Sequence, residues 1–277
     1  MAIIKAAARI ILKERAHYQF QEPVLCFGVP DVYLTEGDLN GLRSRAAPGT
    51  KDFLSASQFL AALGLSQVTS LDIPGSAHAP DLIHDLNQPL PGDLRGRFSL
   101  VIDPGTTEHV FDIRSGLINA AIALQVGGVV IHFVPIYSYN GGYFSINPNV
   151  LFDFYSLNGF ADIRAYIIMW DRYRPFADKA LCYTYTHRLE PRHALADHDQ
   201  CRFTPHLLFF ARKEVSGELF RSPIQHETHV EATEKSSSSR VKGLVRRVLP
   251  DELSTWLSAK LRRERQLRLS RMDSFWI

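Results

Sequence analysis

An α/β fold is what this 277-residue chain predicts: a seven-stranded, mostly parallel sheet with helices on both faces and a helical appendage at the C-terminus. Two observations lead there. From residue 23 to about residue 170, short apolar runs alternate with longer segments of helical period, the pattern of βαβ units. The composition, 45% hydrophobic and 22% charged, supplies enough apolar material for a large core and is too balanced for disorder over most of the length.

The opening MAIIKAAARIILKER is interrupted by Lys5, Arg9 and Lys13, so residues 1–22 read as a short amphipathic helical segment and not as the h-region of a signal peptide. Candidate strands follow at 24–28, 68–72, 82–86, 99–103, 129–135 and 163–170, and two late ones at 181–189 and 206–213. Three helices fall between them. One spans 55–65 with Ser55 or Ser57 near its cap, one spans 111–128 and closes on Gly127 and Gly128, and one starts at Asn147 before Pro148 and ends at Gly159. The main domain is expected at 23–215 and a linker at 216–240, where EKSSSSR marks a flexible stretch. Residues 241–277 are expected to form a basic amphipathic helical tail.

Charge is unevenly spread. Residues 240–277 hold ten Lys/Arg and four Asp/Glu, a net of +6, which leaves −4 for residues 1–239 of a chain whose total is +2. An acidic main domain lacks the basic footprint that phosphate backbones require, so nucleic acid is not an expected partner. The tail either lies on an anionic membrane surface or packs on its own domain. Cys26, Cys182 and Cys201 are odd in number with no C-x-x-C, which points to a reducing, cytoplasmic setting. No apolar stretch approaches the ~18 residues of a membrane span. His187, His193, His198 and His206, with Asp197 and Cys201, follow no metal-ligand spacing, so no metal is expected.

In open parallel sheets ligands sit beyond the carboxyl ends of the strands, and here those ends are polar. Gly28 ends the first run in FGVPD. Asp72 closes the second, where an acid can accept both hydroxyls of a ribose, and Asp85 lies in HDLNQPLP beside Leu86, where a carboxylate can receive an exocyclic amine. The fourth opens into LVIDPGTTEHVFD, which brings Asp103, Thr106, Glu108 and His109 together. Asp72 and Asp85 serve equally well as helix caps or turn formers, and Glu108 as an acid favoured by a helix N-terminus.

These pieces resemble the class I S-adenosylmethionine-dependent methyltransferases, a Rossmann-like fold. The matching residues are the acid ending the second strand, HDLNQPLPGDLRGRFSLVID, the TEHVFD segment and QVGGVVIHFVP, over roughly residues 20–170. The EHV turn and NPNVLFDFYSLNGF look most like the small-molecule branch typified by ubiquinone-biosynthesis methyltransferases. The family's glycine-rich first motif is reduced here to Gly28 in FGVPDVYLT, followed by Pro30, which has no amide to donate. The resemblance implies S-adenosylmethionine bound by Gly28, Asp72, Asp85, Leu86, Asp103 and Thr106. It implies His109 as a base for a hydroxyl acceptor and Glu108 as its orienting or substrate-binding partner. Tyr139, Asn140 and Tyr143 of SYNGGYFS would face the acceptor, a small molecule or a glycan- or lipid-linked group methylated on oxygen or nitrogen. Two alternatives stay open: a catalytically silent scaffold of the same fold, and a nucleotide-dependent oxidoreductase, which would carry the G-x-G-x-x-G absent here.

Overall fold

The computed structural model describes residues 2–39, 53–76, 79–138, 141–171, 173, 180–185, 203–217, 220–224 and 274–276. The chain runs through β1 (Ala2–Ile3), α1 (Lys5–Tyr18), β2 (Val24–Phe27), β3 (Asp31–Val32), α2 (Glu36–Leu39), α3 (Ala56–Ala62), β4 (Val68–Asp72) and β5 (Leu82–Ile83). It continues with β6 (Phe98–Asp103), α4 (Ile113–Ala123), β7 (Leu124–Pro135), α5 (Pro148–Leu157), β8 (Phe160–Asp171), β9 (Leu181–Tyr185), β10 (Phe203–Lys213) and β11 (Ser274–Trp276).

The main sheet has the order β11-β9-β8-β10-β7-β6-β2-β4-β5. The pairs β4–β5, β2–β4, β2–β6 and β6–β7 are parallel, while β10 runs antiparallel to both β7 and β8, so β8 shares the direction of the first five strands. Six of the seven central strands therefore point one way, the α/β arrangement expected. The predicted count falls short by two, because β9 and β11 extend the β8 edge antiparallel to their neighbours. Residues 274–276, expected within a helical tail, are the outermost strand; the rest of the tail lies outside the described residues. From β2 the chain builds outward to β4 and β5, then returns to place β6 on the other side of β2, and this reversal opens a crevice at the carboxyl ends of β2 and β6.

Each face of the sheet has its own apolar core. On one, α1 contributes Ile10, Ile11 and Tyr18 and α3 contributes Phe59 and Leu60; on the other, α4 contributes Leu117, Ala120 and Ala121 and α5 contributes Leu151, Phe152 and Tyr155. Helix starts follow local chemistry. Ser55 and Gln58 form a reciprocal capping box on α3, Asp112 caps α4 through Ser115, and Asn147 caps α5 with Pro148 at its first position.

One helix boundary differs from expectation. α4 stops at Ala123, and Gly127 and Gly128, read as its closing residues, lie inside β7. The β6 register slips between the pairs Phe98–Leu124 and Leu100–Val129, and a Cβ on Gly128 would stand 3.0 Å from the Gln125 carbonyl and 3.1 Å from that of Ser99. The glycines serve a bulge and not a helix cap.

Candidate functional site

Asp103 is the last residue of β6 and is wholly buried. Its Oδ1 accepts the N–H groups of Thr106 at 2.7 Å, Thr107 at 3.2 Å and Gly105 at 3.3 Å, so the chain after the strand winds around the carboxylate. Oδ2 lies 2.7 Å from Nδ1 of His132, its register partner on β7, and His132 Nε2 lies 2.5 Å from the Tyr155 hydroxyl on α5. With Nδ1–H donating to the carboxylate, Nε2 accepts the phenol proton. Burial raises the Asp103 pKa, but the hydrogen bond from His132 and those from the turn amides outweigh it and hold the group below the usual aspartate value. Thr106 Oγ1 donates to the Phe27 carbonyl, which ties the turn to the end of β2.

Glu108 occupies the next short turn, Thr107–His109, and is 5% exposed. Its Oε2 has no hydrogen-bond partner among the described residues. Burial, and then the negative charge of Asp103, push its pKa up to about 8. The Glu108 carbonyl accepts from the amides of Tyr143 at 2.9 Å and Phe144 at 3.2 Å, which folds the SYNGGYFS segment back onto the turn. Contact there is close enough that a Cβ on Gly142 would stand 2.9 Å from Glu108 Cγ. His109 lies at the surface, and partial desolvation lowers its imidazole pKa below the usual histidine value. Phe111 and Tyr143, 74% and 68% exposed, meet edge to face with ring centroids 5.5 Å apart.

The remaining predicted residues line the β2–β4–β5 side. Gly28 has φ +77°, and its N–H donates to the Leu71 carbonyl at 2.7 Å. Asp72 accepts from the Ile73 amide at 2.8 Å through one oxygen. Asp85 accepts from the amide and side chain of Asn87 at 2.9 and 2.7 Å, bonds that keep its pKa low, and Leu86 is buried with its carbonyl on Asn119. Each of the two acids keeps a second oxygen without a bond among the described residues. Ile83, the register partner of Asp72, is 68% exposed and Ile73 is 53% exposed. Free carboxylate oxygens beside bare apolar surface suit the hydroxyls and flat base of a nucleoside. The sheet thus gathers Asp103, Thr106, Glu108, His109 and Tyr143 at one end of β6, and Gly28, Asp72, Asp85 and Leu86 along the neighbouring strand ends. Tyr139 and Asn140 lie outside the described residues.

His132 and Tyr155 were not anticipated. The available signal was a single imidazole inside the apolar run VVIHFVP, since a polar group in a buried strand must find a partner on the adjacent one.

No family model matches this chain, and no curated protein matches it in sequence. Solved structures are similar in fold. A SAM-dependent methyltransferase from Archaeoglobus fulgidus aligns at 12% identity over 74% of this chain and 94% of its own, with a TM-score of 0.42. The branched-chain polyamine synthase from Thermus thermophilus, in complex with N4-aminopropylspermidine and 5′-methylthioadenosine, aligns at 16% identity over 78% of this chain and 58% of its own, TM-score 0.37. The Haemonchus contortus phosphoethanolamine N-methyltransferase 2, with phosphomonomethylethanolamine and S-adenosylhomocysteine, aligns at 15% over 75% and 52%, TM-score 0.40. At these values the likeness goes no further than the fold.

Proposed function

We propose that the chain transfers a methyl group from S-adenosylmethionine to a small-molecule acceptor. The observation that carries this reading is the reversal of strand order at β2 and β6. It sets a nucleoside-suited strip, Asp72, Ile83 and Asp85, beside a turn that holds Glu108 and His109. The cofactor, when bound, supplies an activated methyl group whose transfer depends on in-line placement and exclusion of water more than on acid–base chemistry. The protein's part is then to bind and orient. Asp72 accepts the ribose hydroxyls, Asp85 the exocyclic amine, with Leu86 behind it, and Gly28 gives the amino-acid end close backbone approach. His109 or Glu108 removes the acceptor's proton.

The nucleoside half of the cofactor, whose hydroxyls and exocyclic amine donate, fits these carboxylate acceptors well. Its amino-acid half meets one glycine whose N–H is already bonded and a proline that has none, an arrangement that favours the scaffold reading as the second one. A glycan- or lipid-linked acceptor, and peripheral membrane contact through the basic tail, remain extensions of the main proposal. No described helix is long and apolar enough to cross a membrane. Calorimetric titration with S-adenosylhomocysteine tests the proposal. One site of micromolar affinity is expected, and no binding up to millimolar ligand would leave the scaffold reading in its place.

A further inference from the structure

Resting on the methyl-transfer reading, we infer that the acceptor is an amine: it enters as an alkylammonium ion beside Glu108, against the Phe111 and Tyr143 rings, and Glu108 takes its proton before methylation.

Two features point to a cation. Glu108 Oε2 is buried with no hydrogen-bond partner among the described residues, a state that costs free energy unless a ligand completes it. The Phe111–Tyr143 pair projects from the same turn, since the Tyr143 amide is held by the Glu108 carbonyl, and exposed ring faces attract ammonium groups within about 6 Å.

Magnitudes separate an amine from a hydroxyl. An acid of pKa about 8 sits roughly two units below an alkylammonium of pKa about 10, so proton transfer to the Glu108 carboxylate costs about a hundredfold in population. A hydroxyl with a pKa near that of bulk water, about 15.7, would cost more than a millionfold. The step balances as follows. The entering R–NH3+ displaces the proton of the neutral Glu108 carboxyl to solvent, and the resulting carboxylate takes a proton from nitrogen. The nitrogen lone pair forms the N–CH3 bond while the breaking S–C pair stays on sulfur. The products are R–NH2–CH3+, S-adenosylhomocysteine and the one proton released at entry.

Calorimetry of the full chain with benzylamine, benzyl alcohol and benzoate, each with S-adenosylhomocysteine present, tests this. Benzylamine should bind at least about tenfold more tightly than the other two and release about one proton at pH 7, read from buffers of different ionisation heat. Glu108→Gln should abolish the proton release and remove the preference. Should that variant not fold, Phe111→Ala, at an exposed position, should weaken benzylamine about two- to fivefold and leave benzyl alcohol unchanged. Equal binding of amine and alcohol, or an unaltered preference in Glu108→Gln, overturns the inference. If Glu108→Gln weakens S-adenosylhomocysteine instead, the carboxyl serves the cofactor's own ammonium and the amine inference fails while methyl transfer stands. Failure of S-adenosylhomocysteine to bind the native chain defeats the methyl-transfer reading itself.

Discussion

His132 Nδ1 and Asp103 Oδ2 stand 2.7 Å apart as register partners on β7 and β6, both wholly shielded from water. One consequence is that the end of β6 is fixed by an ionisable pair, and removing one member leaves the other stranded. His132→Ala should cost about 3–5 kcal/mol at pH 7, the usual penalty for breaking a buried pair from one side, as read by urea denaturation. Because Asp103 has its pKa lowered by folding, its contribution is fully present above the unfolded value of about 3.9 and is lost as pH falls through the lower folded value. The gap between wild type and variant should therefore narrow below about pH 4. A gap independent of pH would sink the idea.

Tyr155→Phe keeps the packing and deletes the hydroxyl on His132 Nε2. The buried nitrogen then has no donor, and a loss of about 1–3 kcal/mol is expected. Thermal melts that match wild type would show that the bond contributes nothing net.

Glu108 shifts the other way. Its folded pKa of about 8 exceeds the unfolded value of about 4.3, so its favourable contribution is present below the unfolded value and disappears as pH rises through about 8. Glu108→Gln should gain on wild type between pH 5 and pH 9 by an amount on the order of a few kcal/mol. Denaturation curves at the two pH values decide it, and a constant difference would mean that the carboxyl is not desolvated.

Asp72→Ala should leave melting unchanged, because the described bond of that carboxylate is to the adjacent Ile73 amide. S-adenosylhomocysteine affinity should fall about ten- to a hundredfold, the loss of hydrogen bonds to a charged group, roughly 1.5–3 kcal/mol. Lost stability with unchanged affinity would place the residue among the turn formers.

A side chain at residue 142 tests the fold-back over Glu108. Gly142→Ala puts a Cβ 2.9 Å from both Cγ and the carbonyl of Glu108, so the amide bonds of Tyr143 and Phe144 must loosen. Hydrogen exchange at those two amides should accelerate, with a stability loss of about 1–3 kcal/mol.

The sheet was legible because apolar runs such as VLCF and SLVID must be buried on both faces, and parallel strands need intervening helices. Gly127 and Gly128 misled, since two glycines after a helical run serve a cap or a bulge equally well, and the deciding contact, Ser99 O, lies on another strand. The site was half legible for a similar reason. Asp103 and Glu108 stand five residues apart in one loop, yet Asp103 is claimed by His132, a partner visible only once the register between β6 and β7 is set. The raised pKa of Glu108 follows from burial, which depends on the distant Gly142 turn folding over it.

The pairing of β11 with β9 has a consequence for shortened forms of the chain. Residues Ser274, Phe275 and Trp276 satisfy the outer hydrogen-bonding row opposite Tyr183, Cys182 and Leu181. Cutting the chain near residue 236 would strip that row bare and leave β9 as a strand able to recruit another molecule edge to edge. Such a truncation should stay folded at low concentration yet turn cloudy or form dimers as concentration rises, and adding the peptide of residues 270–277 in excess should suppress it.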